Sequence, residues 1–253
     1  MKTEKTNVQH HVEHLKQKEK RLKNAIKICS ILESININPN SVVDIGCGYG
    51  FFLAAAQKTW EPEAILGIDG DWVERNQLMF SEEFFWVRDL QKPVRLKERF
   101  ELAACLEVAE HIRKEHSQSL VDLLVSASDV ILFSAAIPGQ GGNGHVNEQY
   151  PSYWSSRFAT RGYVPVDILH PIVWTDKELF PWFRQNLLIY VAESRLSSFP
   201  LLAEHRAVPG LLDRVHPHNF QRRLKQVKEA RTRVKQLEAE LAALGEGAKK
   251  DLE

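Results

Sequence analysis

Glu107, Glu110 and His111 put two carboxylates and an imidazole into one short stretch, Leu106-Glu107-Val108-Ala109-Glu110-His111, directly after an apolar run. If the stretch opens a helix, residues three and four apart share a side, and the three groups converge. A second imidazole, His145, sits in a glycine-rich run from Pro138 to Gln149. Mixed carboxylate and imidazole donors suit manganese, iron or zinc, with magnesium and its waters a poorer match. An ion held among such donors would lower the pKa of a bound hydroxyl and orient its oxygen. Without an ion, His145 or His111 can serve as general base, because imidazole titrates close to neutral pH. In the plainer alternative Glu107 caps a helix and His111 packs in the core. The residues alone leave all three open.

Such a cluster needs a scaffold, and the chain shows one upstream. In Val42-Val43-Asp44-Ile45-Gly46-Cys47-Gly48-Tyr49-Gly50-Phe51-Phe52-Leu53, a β-branched run carries an acid, alternate glycines follow, and an apolar helical pattern starts at once. This reads as strand, tight turn, helix. Glycines at alternate positions permit positive φ and let backbone approach a ligand closely. The spacing is G-x-G-x-G behind an acid and departs from the G-x-G-x-x-G of dinucleotide enzymes. It resembles the first motif of Rossmann-like S-adenosyl-L-methionine (SAM) methyltransferases. The resemblance implies that Asp44, Gly46, Gly48 and Gly50 hold SAM.

Ala64 to Asp69 is a second buried strand closing on an acid. Asp69 lies about twenty residues past the turn, where such sites place a carboxylate on ribose hydroxyls. It could instead cap a helix opening at Gly70-Asp71-Trp72, a role also open to Asp71. Phe84 to Val87 is a third strand leading into Arg88-Asp89-Leu90, and the family resemblance implies that Asp89, with Leu90, lies at the adenine. Glu101 to Leu106 and Asp129 to Ser134 read as further strands around a helix at Ser117 to Ala127. Strands alternating with helices predict a parallel sheet covered on both faces, and right-handed crossovers gather these acids at the carboxyl ends of the strands. A loop from Ala135 to Tyr150, a short helix at Ser152 to Thr160 and strands at Tyr163 to Leu169 and Gln185 to Glu193 follow, with Trp174 to Phe183 between the last two. The expected fold is α/β, a three-layer doubly wound seven-stranded sheet. The resemblance implies an antiparallel last strand.

The ends are different in kind. From Glu4 to Glu33, Val12, Leu15, Leu22, Ala25, Ile26, Cys29 and Leu32 recur at helical intervals among lysines. They predict an amphipathic helix packed on the catalytic domain, within residues 1–40. The domain itself is assigned to 41–200. In residues 216–253, Val227, Ala230, Val234, Leu237, Leu241 and Leu244 occupy heptad a and d positions. They predict a charged helix or short coiled coil, either alone or forming a homodimer, that frays from Gly245. His216-Pro217-His218 reads as linker.

Lys+Arg and Asp+Glu balance at 33 each, so no overall field draws the protein to nucleic acid. The 43% hydrophobic content supports a core, and no run is long enough to span a membrane. Three scattered cysteines, Cys29, Cys47 and Cys105, indicate neither a disulfide framework nor a zinc knuckle, which fits the cytoplasm.

Two further likenesses sharpen the chemistry. The Glu-x-x-Glu-His cluster is similar to a motif of ubiquinone-pathway O-methyltransferases and of small-RNA 2′-O-methyltransferases, where two glutamates and two histidines hold a divalent ion against the acceptor hydroxyls. Glu107, Glu110 and His111 match that motif, while His145 matches loosely because its spacing is shorter and its loop differs. Phe133 to Gly142, His145 to Gln149 and Tyr153-Trp154 resemble bacterial methyltransferases found with glycan-assembly enzymes, a likeness covering about 41–193 that implies a saccharide acceptor. Tyr150, Tyr153, Trp154 and Trp174 either stack on that acceptor or belong to the core. The resemblance thus implies a SAM-dependent O-methyltransferase acting on a small-molecule or glycan hydroxyl. The alternatives are an RNA 2′-O-methyltransferase, which neutral charge disfavours, and a non-catalytic SAM-binding protein.

Overall fold

Short apolar runs ending in acids or serine alternate with helical segments up to Ser134, and each run becomes a strand of one sheet. The computed structural model describes residues 18–250, with side chains as far as Leu241. It divides into two compact units, the first ending at Arg214 and the second beginning at Val215.

In the first unit, strands β1 (Ser41–Ile45), β2 (Ala64–Asp69), β3 (Phe85–Val87), β4 (Leu102–Leu106), β5 (Val130–Ser134), β6 (Tyr163–Val166) and β7 (Leu188–Ala192) form a seven-stranded sheet in the order β3-β2-β1-β4-β5-β7-β6. The first five run parallel, and β7 is antiparallel to both neighbours. Pro165 sits in β6, at an edge, where a missing N–H costs the ladder least.

Successive residues in a strand point to opposite faces, and the core divides accordingly. Leu102 and Ala104 of β4, with Leu132 of β5 and Ile189 of β7, face one cluster. There α1 (Lys18–Ser34) and α2 (Phe51–Trp60) bring in Ile28, Cys29, Leu32, Leu53 and Ala56. Ala103, Cys105, Ile131, Phe133 and Tyr190 face the other, with Leu120 and Leu124 of α3 (Ser117–Ala127) and Trp154 and Phe158 of α4 (Pro151–Ala159). Near-continuous apolar strands are what a sheet covered on both sides requires.

The lysine-rich α1 is a packed helix. Its buried Asn24 donates to the Glu178 carbonyl at 3.2 Å and accepts from the Phe180 N–H at 2.6 Å, and Lys27 pairs with Asp176 at 2.7 Å. The expected earlier part of this helix, including Val12 and Leu15, lies outside the described residues.

Several expectations need correction. No α-helix opens at Gly70, so neither Asp69 nor Asp71 is a helix cap there; the segment makes only 3-10 turns at Arg75–Gln77 and Glu82–Phe84. The cause is tertiary: Trp72 folds over Gly70, Phe80 packs against Gly50 and Gly67, and the Met79 N–H donates to the Tyr49 carbonyl at 2.9 Å. The segment after Val166 leaves the sheet into α5 (His170–Val173) and α6 (Pro181–Asn186), and β7 starts only at Leu188. A last short helix of this unit, α7 (Pro200–Glu204), precedes the boundary.

The second unit is one long helix, α8 (Pro217–Lys250), whose first turn is capped by His216 Nδ1 accepting from the His218 N–H at 3.1 Å. It is helical to Lys250, past Gly245 and Gly247, the low-propensity residues from which fraying is expected. The side chain of Leu244 and residues 251–253 lie outside what is described. Among the described residues, no helix is long and apolar enough to cross a membrane.

Candidate functional site

Asp44, Asp69, Asp89 and Glu107 all lie at or just beyond the carboxyl ends of parallel strands, so the sheet collects them along one edge. Open α/β sheets bind ligands outside that edge. Between β1 and α2 the chain turns through Gly46, Gly48 and Gly50 at φ of 83°, 53° and 77°. A Cβ on Gly50 would stand 2.2 Å from the Phe80 ring, and one on Gly46 2.3 Å from Val108, so both glycines are required by the protein's own packing. Gly48 differs, because nothing lies within 4 Å of the place a Cβ would take.

Asp69 is tied directly to this turn. Its Oδ2 accepts from the Gly48 N–H and its Oδ1 from the Gly70 N–H, both at 2.7 Å. Burial pushes its carboxyl up to about 6, against the pull of those two amides. Each oxygen keeps a further lone pair for a ligand hydroxyl. Asp44 is also buried, and burial together with the nearby Asp69 raises it to about 8. Asp89 is exposed, accepts from the Gln91 N–H at 3.0 Å and pairs with Lys92 at 3.4 Å, while Leu90 is buried in the core beneath the edge.

The acidic cluster is reached by a turn, where a first helical turn was expected. Glu107 takes φ 57°, uncommon for a residue with a side chain, and its N–H donates to both the carbonyl and the Oγ of Ser134 at 3.0 Å. A 3-10 turn, Ala109–His111, follows. The Glu107 carboxylate accepts from Asn186 Nδ2 at 3.0 Å and Gln140 Nε2 at 3.5 Å. Burial raises its pKa against the opposing hydrogen bonds from Asn186 and Ser134. Glu110 has no exposure, and neither of its oxygens has a hydrogen-bond partner of ordinary geometry among the described residues. Burial, and then the negative charge of Glu107, push it well above the usual carboxylate range.

The loop after β5 returns to this cluster because the N–H groups of Val146 and Asn147 both donate to the Glu110 carbonyl, at 2.9 and 3.0 Å. His145 is thereby placed with Nε2 4.0 Å from Glu110 Oε1 and its ring edge-on to His111, centroids 4.9 Å apart. Glu110, His111 and His145 offer ligand atoms within 4.8 Å of one another. His111 Nδ1 faces the Gly144 carbonyl at 3.2 Å, and His145 Nδ1 faces Glu148 Oε1 at 2.9 Å. Both partners are acceptors, so in the neutral rings Nδ1 carries the proton and Nε2 the lone pair, a tautomer assigned from these contacts. A buried carboxylate without an ordinary hydrogen-bond partner, within ligand reach of two imidazoles, fits a divalent cation, and the donor set is that of manganese, iron or zinc. Glu107 lies outside this close triplet.

Glu148 was not singled out from sequence. It also accepts from the Gly139 and Gly141 N–H groups at 2.7 and 2.6 Å, so one carboxylate both shapes the glycine loop and orients His145. Burial opposes its ionisation, yet the His145 and glycine hydrogen bonds outweigh it and hold the carboxyl below its usual range. The available signal was an acid three residues after a histidine, beside glycines whose N–H groups need acceptors. Of the aromatic residues, Trp154 is core and Tyr153 half-buried, with its hydroxyl donating to Ser117 Oγ at 3.0 Å, whereas Tyr150 is exposed and Trp174 half-buried. A cavity of about 220 Å³ lined by Leu66, Phe85, Trp86 and Phe100 lies elsewhere and contains none of the site residues.

Parallel strands in the order 3-2-1-4-5 with an antiparallel β7 inserted before β6 define the class I methyltransferase fold, and this chain has it. No family model matches the sequence, and no curated protein matches it significantly. Solved structures are similar in fold. A sugar N-methyltransferase from Streptoalloteichus sp. superposes with a TM-score of 0.51 at 14% identity, over 66% of this chain and 86% of that one. A SAM-bound amino pentose methyltransferase from Micromonospora echinaspora gives 0.49 at 12%, over 68% and 91%. A candidate O-methyltransferase from Nostoc punctiforme gives 0.47 at 13%; 66% of this chain is covered, and the chain spans 55% of that protein's length.

Proposed function

We propose that the protein is a SAM-dependent O-methyltransferase whose acceptor is a hydroxyl of a saccharide or glycan intermediate. The observation that carries this reading is adjacency on one sheet edge. The open face of Gly48, braced by Asp69, lies at the end of β1, and Glu110, His111 and His145 gather beyond the neighbouring β4. SAM supplies an electrophilic methyl on a sulfonium. The glycine turn would admit its close approach, the spare lone pairs of Asp69 would take its ribose hydroxyls, and Asp44 would meet its positive charge. Asp89, with Leu90, would lie at its adenine, as the sequence resemblance implies. The acceptor class rests on the sequence resemblance of the 133–154 segment.

Glu110, His111 and His145 would hold a divalent ion, with Glu107 beside them, and such an ion supplies Lewis acidity to the acceptor oxygen. One contact favours a second reading of the same site, in which no ion is used. Glu148 on His145 Nδ1 makes a carboxylate–imidazole dyad with Nε2 as the accepting nitrogen. The hydroxyl proton then passes to Nε2 of His145 as the oxygen–methyl bond forms and the sulfur–methyl bond breaks. The resulting imidazolium faces Glu110 at 4.0 Å.

Calorimetry with S-adenosylhomocysteine on the intact protein tests the first step, and absence of binding removes the proposal. Mass spectrometry for the gain of one methyl across a panel of glycans and nucleotide sugars, with and without chelator, tests the rest. Activity that survives chelation selects the dyad. Methylation of oligonucleotides alone would move the acceptor to RNA, and cofactor binding without any methylated product would leave a binding protein.

A further inference from the structure

The second unit carries an interaction surface that the site does not use. On α8, Phe220, Val227, Val234 and Leu241 recur at intervals of seven, with Ala230 and Leu237 three residues after Val227 and Val234. These are a and d positions of a heptad, and they face solvent: Val227 is 47%, Val234 52%, Leu237 46% and Leu241 73% exposed. Across the two central heptads the e and g positions are Arg231, Arg233, Glu238 and Glu240, with uncharged Leu224 and Gln226 before them and Gly245 and Gly247 after, so the charged part of the seam is basic first and acidic second.

We propose that α8 pairs antiparallel with α8 of a second copy of this chain, in the register that sets Val234 against Leu237 of the other copy and Ala230 against Leu241. The charge order selects this arrangement. In an antiparallel pair e faces e and g faces g, so Arg231 meets Glu238 and Arg233 meets Glu240, and two-fold symmetry makes each contact twice. In a parallel pair g faces the next e, which keeps only Arg233 with Glu238 and sets Gln226 against Arg231. The Arg233–Glu240 contact of 3.8 Å along a single helix shows that these side chains reach one heptad and are available to exchange partners. The proposed register overlaps residues 221–250, a seam about 45 Å long at the usual helical rise. Exposed ion pairs contribute little individually, so they set orientation while the apolar seam supplies affinity. With Ala230 as its small core residue, the pair is weak enough for association to depend on concentration.

Full-length protein is examined by light scattering over a concentration series, where a reversible dimer is expected. Orientation is read by oxidation of single-cysteine additions, because the described native cysteines are buried. A mixture of the Ala230→Cys and Leu241→Cys proteins should form a disulfide between the two variants, while neither alone links to itself. Reversing Arg231 and Arg233 to Glu should weaken self-association by about tenfold or more. Mixing that protein with one carrying Glu238→Lys and Glu240→Lys should restore pairing. Unchanged thermal unfolding of the variants shows that the first unit is intact. A monomer at every concentration overturns the proposal, as does self-linking of Ala230→Cys, the signature of a parallel pair.

Discussion

Replacing Gly48 by Ala separates ligand binding from stability, which replacement of its neighbour cannot do. Gly48 has φ 53°, and left-handed backbone costs a residue with a Cβ about 1–2 kcal/mol. Nothing within 4 Å opposes the added methyl, and the N–H that donates to Asp69 is kept, so no further loss is expected. In a domain of this size that loss lowers Tm by about 2–8 °C. Gly50→Ala carries the same backbone cost at φ 77°, and its Cβ would stand 2.2 Å from the Phe80 ring. Overpacking adds about 1–3 kcal/mol, for a total of about 2–5 kcal/mol. Binding should rank the other way. The Gly48→Ala methyl projects into the space assigned to the cofactor and should weaken S-adenosylhomocysteine by at least about tenfold while the protein stays folded. Differential scanning fluorimetry and calorimetry on the two variants give both orders. Unaltered affinity in a folded Gly48→Ala protein would refute the assignment of that open face to the cofactor.

Two further outcomes concern the cluster beyond β4. Glu110→Gln should lower manganese affinity by about tenfold or more, read by electron paramagnetic resonance of the free ion, while S-adenosylhomocysteine binds as before; retained manganese affinity would remove Glu110 as a ligand. Glu148→Ala removes the acceptor of the His145 Nδ1–H and frees the imidazole to turn and to change tautomer. Metal affinity, or in its absence the pH profile of turnover, should then suffer while unfolding and cofactor affinity stay near wild type; loss of all of them together would make Glu148 a structural loop anchor only.

How much of this was legible in the sequence follows from the range over which each feature is determined. The β1–α2 turn could be read because three glycines and an apolar helix start are local, and the edge placement of Asp69 and Glu107 because crossover handedness is nearly invariant. The missing helix after Asp69 could not. Gly70-Asp71-Trp72 has the look of a helix start, and what prevents it is the packing of Phe80, further along the same segment, against Gly50 and Gly67 of other elements. Glu107 was found, but its partner Asn186 lies 79 residues away, and no local pattern links them. Glu148 could be recovered only by asking where the N–H groups of a glycine loop find acceptors.

The buried acids make one physical argument about what this edge is for. Asp44, Asp69 and Glu110 are buried, with Glu107 beside them, and all four hold their protons more tightly than usual, through burial first and, for Asp44 and Glu110, the charge of a neighbouring acid as well. Such an edge is unfavourable when empty and becomes favourable when a cation arrives. For Asp44 the consequence is measurable. Its folded pKa of about 8 lies above the unfolded value of 3.8, so the folded state binds the extra proton and stability falls as pH rises from about 4 to about 8. Between about pH 5 and about pH 8 this loss is up to about 4 kcal/mol. Asp44→Asn should flatten that slope in denaturant titrations and be the more stable protein at the alkaline end. A saturating cationic cofactor, by favouring the carboxylate, should flatten the wild-type slope in the same way and release protons on binding. If the Asp44→Asn protein keeps the full slope, Asp44 is ionised throughout the range, and the edge is not the proton-loaded cation site argued for here.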